Sequence, residues 1–383
     1  MRRSVAVAHF ARPIFVKKNS TLMKKAGILT FHRALNYGAV LQCYALKQTL
    51  QRLGFEADVI DYRQKDIEKQ HGLRAIAKPR WFLKHLVTLS LHRFIIGAYR
   101  CLKTQHMFNC FVQKHLSPKS TCKDSEHIST GYDLYVIGSD QLWNTFLTGN
   151  KFDKVYCGFF TRDSGSKVIT YAVSSKIQAL NQQDDTLRRI STNFDEISIR
   201  EKSLCDLFEK ETGYKTRCDL DPTLLAPPTI WDNLTNTKWE GRNYILIYEV
   251  RHKKGCEDTL TETANRIAQE KGWEVIKITA SSWSQMFSVE DFLSLFKYAQ
   301  FVFTVSFHGT AMSLIFHRPF YSFRMGDGGD ARYVDVLTEL GLSSRLKNFS
   351  DDITTLESID YEEADKKWDA LRRRSEDYLK SYL

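Results

Sequence analysis

Short apolar runs that alternate with helical patterns constrain the fold of this chain more than any other feature. Residues 26–31 (AGILTF) have the length and composition of a buried strand, and residues 57–62 (ADVIDY) are a second one. Between them, residues 39–53 have helical apolar spacing that stops before Gly54. A strand–helix–strand opening predicts two parallel strands joined by a right-handed crossover.

The same alternation continues as far as residue 305. Further strands are predicted at residues 133–138, 168–173, 196–200, 216–220, 244–250, 274–278 and 301–305. The strands after residue 195 form a second series, with helices between most of them. Because 383 residues are too many for one ordinary core, we predict an α/β fold of two doubly wound, Rossmann-like domains that face a cleft.

The pattern places the boundary between these domains near residue 185. We assign residues 23–185 to the N-terminal Rossmann-like domain and residues 186–350 to the C-terminal one. Residues 351–383 contain a charged amphipathic helix that we expect to pack back on the N-terminal domain. Residues 1–22 have a basic start but no uninterrupted apolar stretch, so we predict a disordered extension rather than a signal peptide.

Composition narrows the class of protein. Hydrophobic residues are 43% and charged residues 26% of the chain, as in soluble globular proteins, and no long uncharged apolar run predicts a transmembrane helix. The eight cysteines form no CxxC pair, so neither a zinc ribbon nor a thioredoxin-type site is expected. Scattered single thiols indicate a reducing compartment, and we expect a cytoplasmic protein.

Residues 63–119 carry the net charge of the chain. This basic segment contains twelve Lys or Arg and two acidic residues, an excess equal to the net charge of +10. Its cations are interleaved with Trp, Phe, Ile and Tyr, which is typical of a helical segment on an anionic membrane surface. A solvated helical insertion is the alternative. A nucleic-acid partner is not expected, because no recognised binding module accompanies the charge.

Four polar clusters directly follow predicted strands. They are residues 32–38 (HRALNYG), 138–144 (GSDQLWN), 198–201 (SIRE) and 306–309 (SFHG). Each alone is explained as well by a turn or a helix cap, since Asn36, Asp140 and Ser306 are all good capping residues. Ligands of open α/β sheets lie at the carboxyl ends of the strands, so four such clusters together favour a ligand-binding cleft.

Of the residues in these clusters, His308 and Arg200 are the best placed to bind an anion. His308 ends a strand and precedes a helix predicted to begin at Thr310, whose free N–H groups would attract an anion. Arg200 also ends a strand and precedes a helix; an ion pair with Glu201 or Asp195 is the alternative to anion binding.

Two later arginines and a second histidine are weaker candidates. Arg324 and Arg332 follow the histidine motif and are within reach of an anion, although a surface position is favoured for each. His317 lies nine residues from His308 across a helix, so the two are not expected to share a metal ion. We predict no metal site.

At these clusters the sequence resembles the polysaccharide pyruvyl transferase family. The matching motifs occur in the family's order at residues 30–62, 132–144 (YDLYVIGSDQLWN), 171–175 (YAVSS), 197–203 (ISIREKS), 221–225 (DPTLL) and 306–320 (SFHGTAMSLIFHRPF). The resemblance implies two Rossmann-like halves facing a cleft, as in GT-B glycosyltransferases. It also implies transfer of the enolpyruvyl carbons of phosphoenolpyruvate onto two hydroxyls of a sugar, which forms a cyclic pyruvate ketal and releases phosphate.

The resemblance also assigns roles to residues. His308 aligns with the family's functional histidine and Arg200 with its phosphoenolpyruvate-binding arginine, so both are the expected catalytic residues. The remaining residues of the expected phosphoenolpyruvate site are Ser306, Phe307, Gly309 and Thr310. Whether His308 protonates the methylene carbon or only binds phosphate stays open at this point.

The resemblance leads us to expect the acceptor on the N-terminal domain and phosphoenolpyruvate on the C-terminal domain. The acceptor side of the site has three candidates, Asn36, Tyr37 and Asp140. Asp140 is either a base for a sugar hydroxyl or only a cap. Phosphoenolpyruvate is the expected donor substrate, and no cofactor is expected. The acceptor is a sugar of a polysaccharide or of a lipid-diphosphate-linked oligosaccharide, and the second of these requires work at the inner membrane face. The alternatives are a GT-B-type glycosyltransferase that uses a nucleotide sugar, and a non-catalytic glycan-binding protein.

Overall fold

The computed structural model describes residues 23–71, 91–180, 186–256, 258–279 and 287–383. The expected extension at residues 1–22 and residues 72–90 of the basic segment therefore lie outside the described residues. Two sheets, of seven and five parallel strands, organise the rest. This confirms the prediction of an α/β fold with two parallel sheets.

The first sheet has the strand order β3-β2-β1-β4-β5-β6-β7. Its strands are β1 (Lys25–Leu29), β2 (Glu56–Tyr62), β3 (Lys119–Cys122), β4 (Leu134–Asp140), β5 (Lys167–Val173), β6 (Ser198–Ile199) and β7 (Arg217–Cys218). This is the Rossmann order with one more strand at the end. The order reverses between β1 and β4, which places the switch point of the sheet there.

The second sheet has the strand order β12-β11-β10-β8-β9. Its strands are β8 (Tyr244–Glu249), β9 (Glu274–Thr279), β10 (Phe301–Thr304), β11 (Phe320–Phe323) and β12 (Leu346–Lys347). Counted from β8, this is the other common doubly wound order, and its switch point lies between β8 and β10.

The change from one sheet to the other comes later than the sequence pattern placed it. The strands predicted at residues 196–200 and 216–220 were expected to begin the second series. They are β6 and β7, and they extend the first sheet because Val173 pairs with Ile199 and Ser198 with Arg217. The division at residues 185 and 186 therefore does not coincide with the change of sheet, which falls between β7 and β8.

Helices connect the strands and cover the sheets. They are α1 (Tyr37–Leu53), α2 (Lys65–His71), α3 (Leu91–Phe111), α4 (Ile177–Leu180), α5 (Thr186–Ser191), α6 (Lys202–Thr212), α7 (Pro222–Leu225), α8 (Thr229–Asp232), α9 (Thr259–Lys271), α10 (Val289–Tyr298), α11 (Phe307–Ile315), α12 (Ala331–Glu339) and α13 (Glu362–Lys380). One hydrophobic core cluster includes residues of both sheets, such as Val136 and Leu246, so the two halves share buried apolar contacts.

Helix α13 returns from the second half of the chain onto the first. Trp368 Nε1 donates to the Leu224 carbonyl at 2.8 Å, and the Ser375 hydroxyl donates to Asp219 at 3.0 Å. The Tyr378 hydroxyl donates to the Thr170 carbonyl of β5 at 3.0 Å. Because these donors are buried, each would lose its partner if the helix moved away, and this fixes the helix against the first sheet.

Within the described part of the basic segment, helix α3 has both buried and exposed apolar side chains. Phe108 and Phe111 are buried in the core, and the Phe108 ring lies 5.1 Å from that of Tyr37. Tyr99 and Leu102, one turn or more earlier, are 60% and 49% exposed. Within the described ranges, no helix has the length and apolar character needed to cross a membrane.

Candidate active site

The candidate site lies where the carboxyl ends of the two sheets meet. Gly38 at the start of α1 follows β1, and His308 at the start of α11 follows β10, so each comes from the switch point of its sheet. A Cβ atom on Gly38 would overlap the imidazole ring of His308. The missing side chain at residue 38 therefore lets the two domains touch at this histidine.

His308 is buried in the first turn of α11. The helix begins at Phe307, three residues before the predicted start at Thr310. The His308 side chain is 7% exposed, and its Nε2 has no hydrogen-bond partner within the described structure. Burial lowers the pKa of His308, and Asp221 and Asp140 only partly oppose this. The free protein therefore holds a mostly neutral imidazole at neutral pH, with one nitrogen available.

Arg200 follows β6 and is fixed on three sides. Its Nη1 donates to Asp221 Oδ2 at 2.5 Å and its Nε to Glu201 Oε1 at 3.2 Å. The guanidinium also lies over the ring of Phe307, 4.6 Å from the centroid. Its Nη2 is buried and has no partner among the described residues. The sequence left open whether Arg200 binds an anion or forms an ion pair with Glu201 or Asp195. It pairs with Glu201 and Asp221, and its Nη2 is still unpaired among the described residues.

Asp221 is the residue of this site that sequence reasoning missed. It is fully buried and accepts hydrogen bonds from Arg200, from the Ser139 hydroxyl at 3.0 Å, and from the Thr223 N–H at 2.9 Å. Burial opposes its charge, but Arg200 and the hydrogen bonds from Thr223 outweigh this and lower its pKa. The available signal was the Asp-Pro pair, because Asp221 caps α7 with Pro222 in its first turn.

Glu201 is a second buried carboxylate beside Arg200. Its Oε1 accepts from the Ser174 hydroxyl at 2.6 Å, whereas its Oε2 has no partner among the described residues. Burial raises the pKa of Glu201 in spite of the neighbouring Arg200. Arg200, Glu201 and His308 thus leave three buried polar atoms unpaired in one region, and native proteins rarely leave such atoms unpaired without a ligand or water.

The remaining residues of the expected phosphoenolpyruvate site shape the start of α11. The Thr310 hydroxyl is bonded to the Ser306 carbonyl and to Ser322, so it has a structural position. Phe307 contacts Arg200 through its ring and His308 through an edge-on contact. Ser306 makes no side-chain cap bond, so the N–H groups of Phe307, His308 and Gly309 remain at an uncapped helix start.

The three acceptor-side candidates differ in their exposure and in their distance from Arg200 and His308. Asn36 is exposed and caps α1 by accepting from the Ala39 N–H at 3.2 Å. Asp140 ends β4, accepts from the Gln141 N–H at 2.8 Å, and is near enough to influence the pKa of both Arg200 and His308.

Tyr37 does not fit the acceptor role. It is fully buried, stacks on Phe292 of the second half with ring centroids 4.1 Å apart, and donates its hydroxyl to the Phe287 carbonyl. These contacts occupy the ring and the hydroxyl, so Tyr37 joins the two domains instead of presenting a group to a sugar.

The weaker candidates also have defined positions. The His317 ring stacks on Tyr361 and lies 3.2 Å from Asp365, away from His308. No group of three or more His, Cys, Asp or Glu side chains in the described ranges is arranged to hold a metal ion. Arg332, for which a surface position was favoured, is close enough to Arg200 and His308 to influence their environment electrostatically.

Comparisons with solved structures show a distant likeness over nearly the whole chain. The S. aureus MnaA–UDP co-structure is 12% identical, with a TM-score of 0.45 and coverage of 94% of this chain and 91% of that one. A UDP-GlcNAc 2-epimerase from Methanocaldococcus jannaschii is 12% identical, with a TM-score of 0.43 and coverage of 91% and 93%. The glycosyltransferase SnogD from Streptomyces nogalater is 12% identical, with a TM-score of 0.34 and coverage of 94% of each chain.

Sequence comparison is more specific. A search of curated proteins found no match. The family model for polysaccharide pyruvyl transferases matches residues 36–327, which is well over half of the chain and includes Arg200, Asp221 and His308. The chain belongs to the polysaccharide pyruvyl transferase family.

Proposed function

We propose that this protein transfers the enolpyruvyl carbons of phosphoenolpyruvate onto two hydroxyls of one sugar, forming a cyclic pyruvate ketal and releasing phosphate. The observation that carries the proposal is that Arg200 Nη2 and His308 Nε2, both buried where the two domains meet, have no hydrogen-bond partner among the described residues. Membership of the family supports it. Phosphoenolpyruvate is small and anionic, and it suits fixed cations and open helix N–H groups.

Arg200 is the proposed donor-binding residue. Asp221 and Phe307 hold its guanidinium before the donor arrives, so little side-chain freedom is lost on binding. The N–H groups of Phe307, His308 and Gly309 at the start of α11 supply further donors to the same anion.

His308 is the proposed acid. Anion binding favours its protonated form, and the imidazolium then gives its proton to the methylene carbon C3 of phosphoenolpyruvate. The C2 centre becomes oxocarbenium-like and is attacked by one sugar hydroxyl. Asp140 takes the proton of that hydroxyl and gives it to the leaving phosphate. The second hydroxyl then closes the ring at C2, and its proton restores His308.

The acceptor in this proposal is a sugar linked to a lipid diphosphate, and the protein works at an anionic membrane face. Helix α3 supports this, because Tyr99, Arg100 and Leu102 are exposed together and no acidic residue occurs between residues 91 and 118. An aromatic and an aliphatic side chain beside cations suit an interface of headgroups and acyl chains.

Turnover of the donor tests the reaction. The purified protein is incubated with phosphoenolpyruvate and a panel of acceptor sugars, and phosphate release is compared with the mass gain of the acceptor. We expect one phosphate for each ketal formed. Strict dependence on a nucleotide sugar would overturn the proposal in favour of a GT-B-type glycosyltransferase, and sugar binding without turnover would favour a glycan-binding protein.

Flotation with liposomes tests the membrane face. The double variant Arg100→Glu/Lys103→Glu is expected to lose binding to anionic liposomes. Neither the parent nor the variant is expected to bind neutral liposomes. The matched control is Lys210→Glu/Lys215→Glu, which reverses two exposed charges on and after α6. Equal flotation of the parent and the α3 variant would remove α3 as the membrane contact.

A further inference from the structure

Arg332 is a cation of the site that the family motifs do not include. It lies in the first turn of α12, and its Nε donates to the Gly329 carbonyl at 3.1 Å. Among the described residues, no carboxylate forms an ion pair with it. The other two arginines of this region are both neutralised: Arg200 by Asp221 and Glu201, and Arg251 by Asp327 at 2.5 Å and Asp330 at 3.6 Å.

The three guanidinium groups repel one another. Burial, together with the charges of Arg200 and Arg251, lowers the pKa of Arg332 to about 10, and Glu201 and Asp140 do not compensate. The Arg332 side chain is only partly exposed, so it stays beside these charges instead of extending fully into water. Arg332 is therefore the arginine of this cluster without a counter-ion among the described residues, and a bound anion would supply one.

Gly329 allows this convergence. A Cβ atom at this position would lie 2.6 Å from Arg251 Nη1 and 3.2 Å from Arg332 Nη2, so the two guanidiniums approach each other across a residue with no side chain. The loop that contains Gly329 is held from both domains, because Asp327 also pairs with Lys176, which follows β5, at 3.3 Å. Arg332 is thus positioned by contacts from both sides of the cleft.

We propose that Arg332 binds the phosphate group of the donor, while Arg200 and the start of α11 bind its carboxylate. This inference rests on the proposed function. The division follows from charge: Arg200 already faces two carboxylates, so it suits the singly charged group, whereas the unbalanced Arg332 suits the doubly charged phosphate. After transfer, Arg332 holds the leaving phosphate.

Two variants test this assignment. Arg332→Gln removes the charge and keeps a polar chain of similar shape, and Arg332→Lys keeps the charge without the planar fork. The matched control is Arg324→Gln, a partly exposed arginine on the same segment whose side chain forms no hydrogen bond or ion pair among the described residues. Thermal unfolding of each variant establishes that it folds.

The measurements are direct titrations with inorganic phosphate, phosphoenolpyruvate and pyruvate, each added alone to the full chain. Loss of a charge-assisted contact is expected to weaken phosphate and phosphoenolpyruvate binding by roughly 10- to 100-fold in Arg332→Gln, with a smaller loss in Arg332→Lys. Pyruvate, which has the carboxylate but no phosphate, should bind equally to parent and variant. Arg324→Gln should resemble the parent in all three titrations.

Each failure has its own signature. If Arg332→Gln binds phosphate as the parent does, or loses pyruvate binding to the same extent, the assignment of Arg332 to phosphate is overturned, whether or not the enzyme turns over. If phosphate binding depends on Arg332 but no acceptor is ever pyruvylated, the anion site stands and the proposed reaction falls.

Discussion

Asp61 and Asp221 are both buried aspartates that accept hydrogen bonds from several side chains, but their neighbours differ in how many polar atoms lack a partner within the described residues. We call Asp61 and its hydrogen-bond partners the closed cluster. Asp61 at the end of β2 accepts from His32 at 2.9 Å, Arg33 at 2.5 Å and Thr121 at 2.6 Å. Arg63 also pairs with it. Burial opposes the charge of Asp61, but these hydrogen bonds outweigh burial and lower its pKa.

Asp221 also accepts hydrogen bonds from several side chains, but its neighbours have buried polar atoms that lack hydrogen-bond partners in the described part of the chain. Arg200, Glu201 and His308 around it each have a buried polar atom without a partner in the described structure. None of the residues that bind Asp61 has such an atom. A satisfied buried network stabilises and rigidifies, whereas unpaired buried polar atoms leave hydrogen-bonding capacity for water or a ligand. The comparison therefore contrasts a cluster whose polar atoms are paired with the cluster that we propose binds a ligand.

The largest difference between the Asp221 cluster and the Asp61 cluster is expected when the histidine of each, His308 or His32, is replaced by alanine. His308→Ala is expected to lower turnover by about 10²- to 10⁴-fold, because it removes the proposed acid, and to leave the fold intact. His32→Ala should instead lower the melting temperature while turnover per folded molecule is kept. Phosphate-release kinetics and thermal unfolding measure both. Normal turnover by folded His308→Ala would contradict the proposed role of His308.

Removing the Asp61 carboxylate should lower the stability of the fold without changing the binding of phosphoenolpyruvate. Asp61→Ala leaves Arg33 and the other partners of Asp61 without their counter-ion, and it is expected to lower the free energy of unfolding by about 3–5 kcal/mol. The Michaelis constant for phosphoenolpyruvate should not change in the fraction that folds. Urea unfolding followed by kinetics at low temperature checks this, and a changed Michaelis constant would mean that the Asp61 cluster belongs to the site.

Exchanging arginine for lysine compares the two clusters by affinity. Arg200→Lys loses the planar fork that joins Asp221, Glu201 and the donor, so the Michaelis constant for phosphoenolpyruvate should rise by roughly 10- to 100-fold. Arg33→Lys, the matched change in the closed cluster, should leave that constant as it is. The prediction fails if the two variants behave alike.

The contact between Gly38 and His308 offers a milder test. Gly38→Ala forces a methyl group into the imidazole ring, so it should lower stability by about 1–3 kcal/mol and also reduce turnover. In the double variant Gly38→Ala/His308→Ala the ring is gone, and the stability loss caused by the methyl group should largely disappear. Additive losses in the double variant would show that the methyl group acts elsewhere.

Local pattern was enough to predict most strands, but not the sheet that each one joins. Residues 196–200 alternate apolar and polar side chains as a strand does. Their assignment to the first sheet depends on the pairing of Val173 with Ile199, which no local pattern reveals. The same limit applies to Asp221, since its partner Arg200 is 21 residues away in the sequence. The positions of His308 and Arg200 at strand ends could be predicted, because strand ends and glycine turns mark the edge of a sheet, whereas their roles stay a prediction.

Tyr37 could have been assigned correctly from spacing alone. Tyr37, Leu41 and Tyr44 recur at i, i+4 and i+7, which puts them on one face of α1, and all three are buried. Its place beside Asn36 in a polar cluster concealed this helical period. Arg332 had no comparable signal, because the convergence of three arginines from distant parts of the chain is a property of the tertiary structure.

The smallest predicted effect is a fractional proton taken up when the donor binds. Burial, with Arg200 and Arg332, lowers the pKa of His308 in the free protein, while Asp221 and Asp140 oppose it. A bound anion beside the ring raises that pKa. Between the two pKa values the complex holds more protons than the free protein, so binding takes up protons and affinity falls as the pH rises through this window. No such uptake is expected from the closed cluster.

Calorimetric titration with phosphoenolpyruvate in buffers of different ionisation enthalpy measures this uptake. The phosphate of the donor also titrates near neutrality, so the informative quantity is the difference between parent and His308→Gln, in which only the imidazole contribution is lost. His32→Gln is the matched control and should keep the uptake of the parent, because the His32 ring is bonded through both nitrogens to Thr30 and Asp61. Equal uptake by parent and His308→Gln would mean that His308 does not change its protonation on binding, and it would then be a hydrogen-bonding partner of the donor instead of its acid.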